Sequence, residues 1–280
     1  HDDPTTLRIL QDLTGVDIYS IPLDDEKVMS LFSGTEALGV EPADIDSKTG
    51  SSGIPEFGTS FVKQMLMDTK PKTFAELVRI SGLSHGTDVW TGNAQTLIAE
   101  GKCELKTAIC TRDDIMIYLI DMGLEPGHAF KIMESVRKGK GLTPEWEQEM
   151  TEHNVPDWYI WSCKKIKYMF PKAHAAAYVM MGFRIAYFKV YHPLAYYSAF
   201  FSIRAKAFDY GLFCFGKEKL LSVIKDIKKV EKRHRNKKDE DVLGDAYIVL
   251  EMYARGFEFM PIDIYRACLL YTSDAADERS

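Results

Sequence analysis

The sequence predicts a mostly α-helical protein with minor β structure. Two observations carry that expectation. From Arg112 to about Ala205, apolar residues recur almost without interruption at three- and four-residue intervals. That pattern is punctuated in helical order by Gly123 then Pro126, by Thr143-Pro144-Glu145, by Pro171 and by His192-Pro193.

The elements follow in chain order. Residues 4–13 are predicted helical, with Asp2 and Asp3 near the start. Asp24-Asp25-Glu26 opens a short helix through about Phe32, because acids suit the positive end of the helix dipole. Residues 33–57 are rich in Gly, Pro, Ser and Asp and are expected to be loop with a short strand. Residues 59–69 place Phe61, Met65 and Leu66 on one helical face, and 73–81 carry Phe74, Leu77, Val78 and Ile80 on the next helix. Residues 82–92 read as a turn-rich loop with His85, Asp88 and Trp90, and 93–99 as a short helix. The stripe Ile115, Tyr118, Leu119 and Met122 stops at Gly123, which tolerates a left-handed cap. Pro126 opens a helix that stops in Arg137-Lys138-Gly139-Lys140-Gly141. Helices are expected over 157–169, from Pro171 and over 194–205. Residues 217–238 are expected to form one long lysine-rich helix, with a strand near 257–262. There is no internal repeat.

Composition sets limits on function. The 280 residues are 46% hydrophobic and 27% charged, which suits a soluble globular protein. A net charge of −6 gives no global attraction to nucleic acid, so any DNA contact must come from local basic patches. The five cysteines form no Cys-x-x-Cys pair, which argues against zinc or a disulfide framework and fits a reducing cytoplasm. The longest apolar-rich stretch, 173–201, is interrupted by Arg184, Lys189, His192 and Pro193, so no membrane span is expected. The chain opens on His1 directly into a helix and reads as a piece of something longer. Residues 268–278, Cys-Leu-Leu-Tyr-Thr-Ser-Asp-Ala-Ala-Asp-Glu, match a translated sequencing-adapter read-through. Residues 268–280 are therefore expected to be a non-native tail, the alternative being a real C-terminal tail.

Three cation clusters could hold an anion. Residues 170–178, Phe-Pro-Lys-Ala-His-Ala-Ala-Ala-Tyr, open a small-residue helix with Lys172 and His174. The competing reading is a tightly packed core helix. Arg112 sits in Thr111-Arg112-Asp113-Asp114 at a helix start, where the alternative is an N-cap threonine and an arginine paired to an acid. Arg137, Lys138 and Lys140 sit at a helix end, where cations also simply suit the dipole. Asp113 and Asp114 are adjacent and point about 100° apart on a helix, a poor arrangement for one metal pair. The aromatics around Tyr187–Tyr191 and Tyr196–Phe201 read as packing. Phosphate-loop, dinucleotide, zinc-protease and serine-hydrolase motifs are missing.

Residues 170–178, followed by Tyr187-Phe-Lys-Val-Tyr-His-Pro-Leu-Ala-Tyr-Tyr197, closely resemble the bacterial replicative DNA polymerase III alpha subunits of the PolC type. So do His1-Asp-Asp-Pro4, Gly53-Ile-Pro-Glu-Phe-Gly-Thr59, Ile80-Ser-Gly-Leu-Ser-His-Gly-Thr-Asp-Val-Trp90, Ala108-Ile-Cys-Thr-Arg-Asp-Asp-Ile-Met116, Ser135-Val-Arg-Lys-Gly-Lys-Gly141 and Pro261-Ile-Asp-Ile-Tyr-Arg266. The resemblance runs from His1 to about Ala267, with motifs in the family's order. It implies the multi-helix fingers region of a C-family DNA polymerase: fingers over 1–205, then outer fingers and a truncated lead-in to the duplex-binding region over 206–267. It implies template-directed DNA synthesis with two Mg²⁺ ions on palm aspartates expected upstream of His1, so no catalytic residue is expected in this chain. The implied partners are dNTP, primer-template DNA, and a sliding clamp and other replisome subunits reached through other regions, with a cytoplasmic, nucleoid-associated location. Lys172, His174, Arg112, Arg137, Lys138 and Lys140 are then candidates for the dNTP triphosphate. Lys225, Lys228, Lys229, Lys232 and Arg233 are candidates for the DNA backbone. The rival from another class is a non-catalytic helical nucleic-acid-binding or assembly module, supported by the same lysine-rich stretch.

Overall fold

The computed structural model describes residues 2–261. The expectations placed on Ile262 and on 268–280 lie outside the described residues. In chain order the helices are α1 (Asp2–Thr14), α2 (Glu26–Ser30), α3 (Pro42–Ile45), α4 (Ser60–Thr69), α5 (Phe74–His85), α6 (Gln95–Ala99), α7 (Arg112–Asp121) and α8 (Pro126–Arg137). They continue with α9 (Pro144–Glu152), α10 (Asp157–Lys165), α11 (Lys172–Tyr191), α12 (Pro193–Ala199), α13 (Tyr210–Phe213), α14 (Lys217–Lys228) and α15 (Lys237–Ala254). Among the described residues the only isolated β-bridge joins Thr87 to Tyr168, antiparallel.

Local chemistry explains the helix starts. Asp25, Thr59, Thr73 and Thr143 each accept a hydrogen bond from the backbone N–H three residues on, at 2.9, 3.3, 3.2 and 3.3 Å. Pro171 takes the capping position before α11, one residue ahead of the first helical residue, Lys172.

Five expectations need correction. The helix expected over 73–81 continues to His85, four residues into the stretch expected to be loop, with Gly82 inside it packed against the Cys110 carbonyl. Residues 33–57 contain no strand; a 3-10 turn over Glu36–Leu38 and the short α3 stand there. The expected strand near 257–262 is irregular chain as far as it is described, through Pro261. The helix expected over 157–169 stops at Lys165, and Ile166 is already extended; the residue before Pro171 is also steered away from helix. The single helix expected over 217–238 is broken. α14 ends at Lys228, and Asn236 starts α15 by accepting from the Asp239 N–H at 2.8 Å. Asn236 followed by Asp239-Glu240 is a helix-start signal that the lysine count obscures.

Residues fall into two compact units, His1–Ala207 and Phe208–Ser280. In the first, α11 is central and packs on α5, α12, α1 and α2. It buries Val179, Phe183, Ile185, Ala186, Phe188 and Val190. Phe183 joins an aromatic cluster with Phe32, 6.1 Å away, and Phe74, 6.3 Å away; Phe57 lies 4.9 Å from Phe32. Lys189 is also on the buried side of α11 and wholly enclosed. Its ammonium donates to the carbonyls of Gly50 (2.6 Å) and Ser52 (2.7 Å), pinning that loop to the helix. In the second unit α14 lies on α15, burying Leu220 and Ile224 on one and Ala246, Val249 and Leu250 on the other.

Candidate functional site

Because the chain is extended between α10 and α11, residues 166–171 can bond sideways. Thr87 N–H donates to the Tyr168 carbonyl at 2.9 Å, and Lys167 N–H donates back to the Thr87 carbonyl at 3.1 Å. Met169 N–H reaches the Arg137 carbonyl at the end of α8 (3.3 Å), and Arg112 N–H at the start of α7 reaches the Phe170 carbonyl (3.2 Å). Lys172 N–H then donates to the Asp113 carboxylate at 2.7 Å. One short segment therefore ties the first turns of α7 and α11 to the last turn of α8. Arg112, Arg137 and Lys172, far apart in sequence, become neighbours on it. Two helix N-termini and their positive dipole ends meet there, with the leading N–H groups bonded to the Phe170 carbonyl and the Asp113 carboxylate.

Close packing makes this junction. Gly139 has φ +71°, and a Cβ there would lie 2.5 Å from the Lys167 carbonyl oxygen, so the turn after α8 needs glycine for both its conformation and its contact. At Gly82 on α5 a Cβ would lie 2.7 Å from the Cys110 carbonyl oxygen, just before α7.

The candidate side chains differ in availability. Lys172 and His174 are exposed and Arg112 is half-buried; none of the three forms an ion pair among the described residues. Ala173 and Ala177 beside them are exposed as well, so the first turn of α11 offers an open, low-relief surface, while Ala175 packs inward. Arg137 is forked onto the Glu134 carboxylate (Nη2 to Oε2 2.9 Å), and Lys138 reaches the same carboxylate at 2.8 Å. Those donors, Arg137 first and Lys138 second, hold the Glu134 carboxyl down to about 2. Lys140 is exposed on the turn. Asp114 is engaged by Arg79 at 3.3 Å and by the N–H groups of Cys110 (3.0 Å) and Thr111 (2.9 Å), so it and Asp113 do separate structural work. No group of three His, Cys, Asp or Glu among the described residues could hold a metal.

Two contributors were missed in the sequence. Glu56, at the unusual φ of +73°, sends its carboxylate to His85 Nε2. The His85 ring stacks on Phe170 at 4.8 Å, Phe170 meets the His174 edge at 5.0 Å, and His174 meets Tyr178 at 4.7 Å. His85 thus buttresses the segment bearing Lys172 and His174. Its only sequence signal is an imidazole at a helix end before glycine. The Glu56 hydrogen bond raises the His85 pKa against the opposing effect of burial. A raised folded-state value stabilises below the ordinary histidine pKa near 6.5, and that contribution is lost as pH rises through the folded value. Thermal denaturation at pH 6 and pH 8 is expected to show a wild-type advantage over His85→Gln that is larger at pH 6. An equal difference at both pH values would remove the role given to this pair.

In the second unit, Lys225 and Lys232 are exposed. Lys229 pairs with Asp226 (2.7 Å) and Arg233 with Glu231 (2.7 Å), and Lys228 lies over the Tyr247 ring at 6.0 Å. The break after α14 distributes these five cations over a helix end and a turn. Cys103, Cys110, Cys163 and Cys214 are free thiols; burial pushes Cys110 up to about 12, which keeps it protonated and inert. No described helix is long and apolar enough to cross a membrane.

The family model for the bacterial DNA polymerase III alpha subunit finger domain matches residues 3–155. The DNA polymerase III PolC-type of Bacillus subtilis (strain 168) is 60% identical over 267 residues, covering 95% of this chain and 18% of that protein. The protein of the same name from Oceanobacillus iheyensis is 59% identical, and that from Caldanaerobacter subterraneus 55% identical, each over 95% of this chain and 19% of the relative. The chain spans under a fifth of the length of these curated relatives. With the finger-domain model covering more than half of its residues, the chain belongs to the finger-domain family of bacterial DNA polymerase III alpha subunits.

Proposed function

We propose that the chain is the fingers region of a PolC-type replicative DNA polymerase and that it holds the triphosphate of an incoming dNTP. The observation carrying this reading is the junction at residues 166–171. It sets the unpaired cations Lys172 and Arg112 at two helix N-termini that share one hydrogen-bonded segment. A triphosphate is positioned rather than chemically changed by such a wall, which needs a guanidinium fork, an ammonium group and an imidazole donor. Arg112, Lys172 and His174 supply these. Arg137 and Lys138, tied to Glu134, serve the junction first, and Lys140 flanks it.

In the whole polymerase a primer 3′-hydroxyl attacks the dNTP α-phosphate, with Mg²⁺ neutralising the phosphates. The described residues offer Mg²⁺ no donor set, so metal binding is assigned to palm aspartates elsewhere in the protein. Primer-template DNA, a sliding clamp and other replisome subunits are the expected partners, in the bacterial cytoplasm. Residues 1–205 are the proposed dNTP-binding fingers and 206–267 the proposed outer fingers with a truncated lead-in to the duplex-binding region.

The 280-residue chain is expected to extend no primer, whereas the full-length polymerase carrying it does. Primer extension on a gel checks this, and a product made by the chain alone would show that the catalytic aspartates are misplaced. If the chain were instead an assembly module, DNA binding would fall steeply with salt through Lys225, Lys228, Lys229, Lys232 and Arg233, while dNTP kinetics would ignore Lys172.

A further inference from the structure

Glu56 has the most positive φ of any described non-glycine residue, +73°. A residue with a Cβ is strained there and persists only where its surroundings over-determine it. The surroundings do so. A Cβ on Gly182 of α11 would lie 2.9 Å from the Pro55 carbonyl oxygen, so the loop is pressed onto the helix one residue before Glu56. Two turns further along α11, Lys189 holds the same loop through the Gly50 and Ser52 carbonyls. The strained turn aims the Glu56 side chain, which is only 14% exposed, at His85 Nε2.

The His85 ring passes that restraint on. It lies 4.8 Å from the Phe170 ring and 26° from parallel. Phe170 meets His174 at 5.0 Å and 69°, and His174 meets Tyr178 at 4.7 Å and 70°. Hydrogen bonds already fix the backbone of residues 166–171, but they leave the direction of the Phe170 side chain open. His174 is exposed, and its imidazole bonds to no other described residue. The Phe170 and Tyr178 rings are therefore what limits its rotamers.

We propose that Glu56 and His85 are positioning residues for the triphosphate wall, setting through the Phe170 ring the direction in which His174 presents its N–H to a phosphate. The inference rests on the triphosphate reading of this junction. Neither residue touches the dNTP. Their part is to order an exposed imidazole before the ligand arrives, which lowers the entropy lost on binding.

The test is steady-state dNTP incorporation by the full-length polymerase. His85→Ala and His174→Ala are each expected to raise KM about fivefold, the scale of one hydrogen bond, with kcat little changed. The double variant should go no further than His174→Ala alone, because the first residue acts through the second. Glu56→Gln keeps an acceptor for His85 and should stay within twofold of wild type. Glu56→Gly and Glu56→Ala both remove the carboxylate, but only glycine takes the left-handed turn without strain. Thermal unfolding of the 280-residue chain should therefore rank the glycine variant above the alanine variant, while both raise KM equally. A KM that follows this stability ranking would show a merely structural pair and overturn the proposal. So would a His85→Ala effect that adds in full to that of His174→Ala. If His174→Ala raises KM and His85→Ala does not, the positioning role falls and the triphosphate wall stands. If His174→Ala matches wild type, both His174's place in the wall and the positioning role fall.

Discussion

Lys172→Ala in the full-length polymerase is expected to lower kcat/KM for dNTP by about a hundredfold. A charge-assisted contact to phosphate contributes about 1.5–3 kcal/mol, and each 1.4 kcal/mol is a factor of ten. Lys172 is exposed, heads α11 and has no competing ion pair among the described residues, so its charge is available to a ligand. Its backbone N–H remains bonded to Asp113 in the variant, which keeps the helix start in place. Arg112→Ala should produce a similar loss, and Arg112→Lys should recover only part of it, since an ammonium lacks the guanidinium fork. The Arg137→Ala effect on KM should be smaller, because that guanidinium is bound to Glu134, while the Arg137 carbonyl that accepts from Met169 is kept in the variant. A rise in KM at constant kcat would place the contact in the ground state as well as the transition state; a fall in kcat would place it in the transition state alone. Unchanged incorporation kinetics for both Lys172→Ala and Arg112→Ala would refute the assignment.

How much of this was legible depends on the range of the interaction. Helices with a capping residue and an apolar stripe, such as α4 and α8, follow from a dozen residues each, and the sequence marks their ends closely, whereas α5, expected to end at Ser81, runs on to His85. α10 stopped early because its last residues gain backbone partners from Thr87, Arg137 and Arg112, more than 25 positions away in each case; no local propensity reports such a bond. The candidate cations were visible as types at helix ends. Their grouping was not, since it depends on the extended segment 166–171 and on Gly139 admitting the Lys167 carbonyl. The packing reading of 170–178 describes the inner side of α11, and the anion-site reading concerns its exposed first turn. Its first turn is exposed at Lys172, Ala173 and His174, and the core begins at Ala175. Glu56 carried no signal and His85 only an imidazole before glycine, because a left-handed glutamate in a loop and an imidazole at the end of α5 meet only in the fold.

Lys189→Met is expected to destabilise the first unit by about 2–3 kcal/mol, and Lys189→Ala by somewhat more. In the sequence Lys189 only interrupts an apolar stretch. In the fold it has no exposed surface, and its ammonium donates to the Gly50 and Ser52 carbonyls with the Tyr196 ring 5.6 Å away. Methionine keeps most of the stem's packing and removes the donor, leaving the enclosed Gly50 carbonyl short of a partner at about 1–3 kcal/mol and the Ser52 carbonyl with only the longer contact from the Tyr196 hydroxyl at 3.5 Å. Alanine adds a cavity where the stem lay. Urea denaturation should show the loss as a lower midpoint at unchanged slope. The consequence reaches the site because Gly50 and Ser52 begin the loop that ends in Glu56, and Glu56 holds His85 against Phe170. Lys189→Met should therefore also weaken the pH dependence assigned to His85, although neither residue touches the other. A variant within 1 kcal/mol of wild type would mean that the loop is held by its own bonds, among them Ser51 Oγ to the Phe57 carbonyl at 2.7 Å, and that the buried ammonium is not its pin.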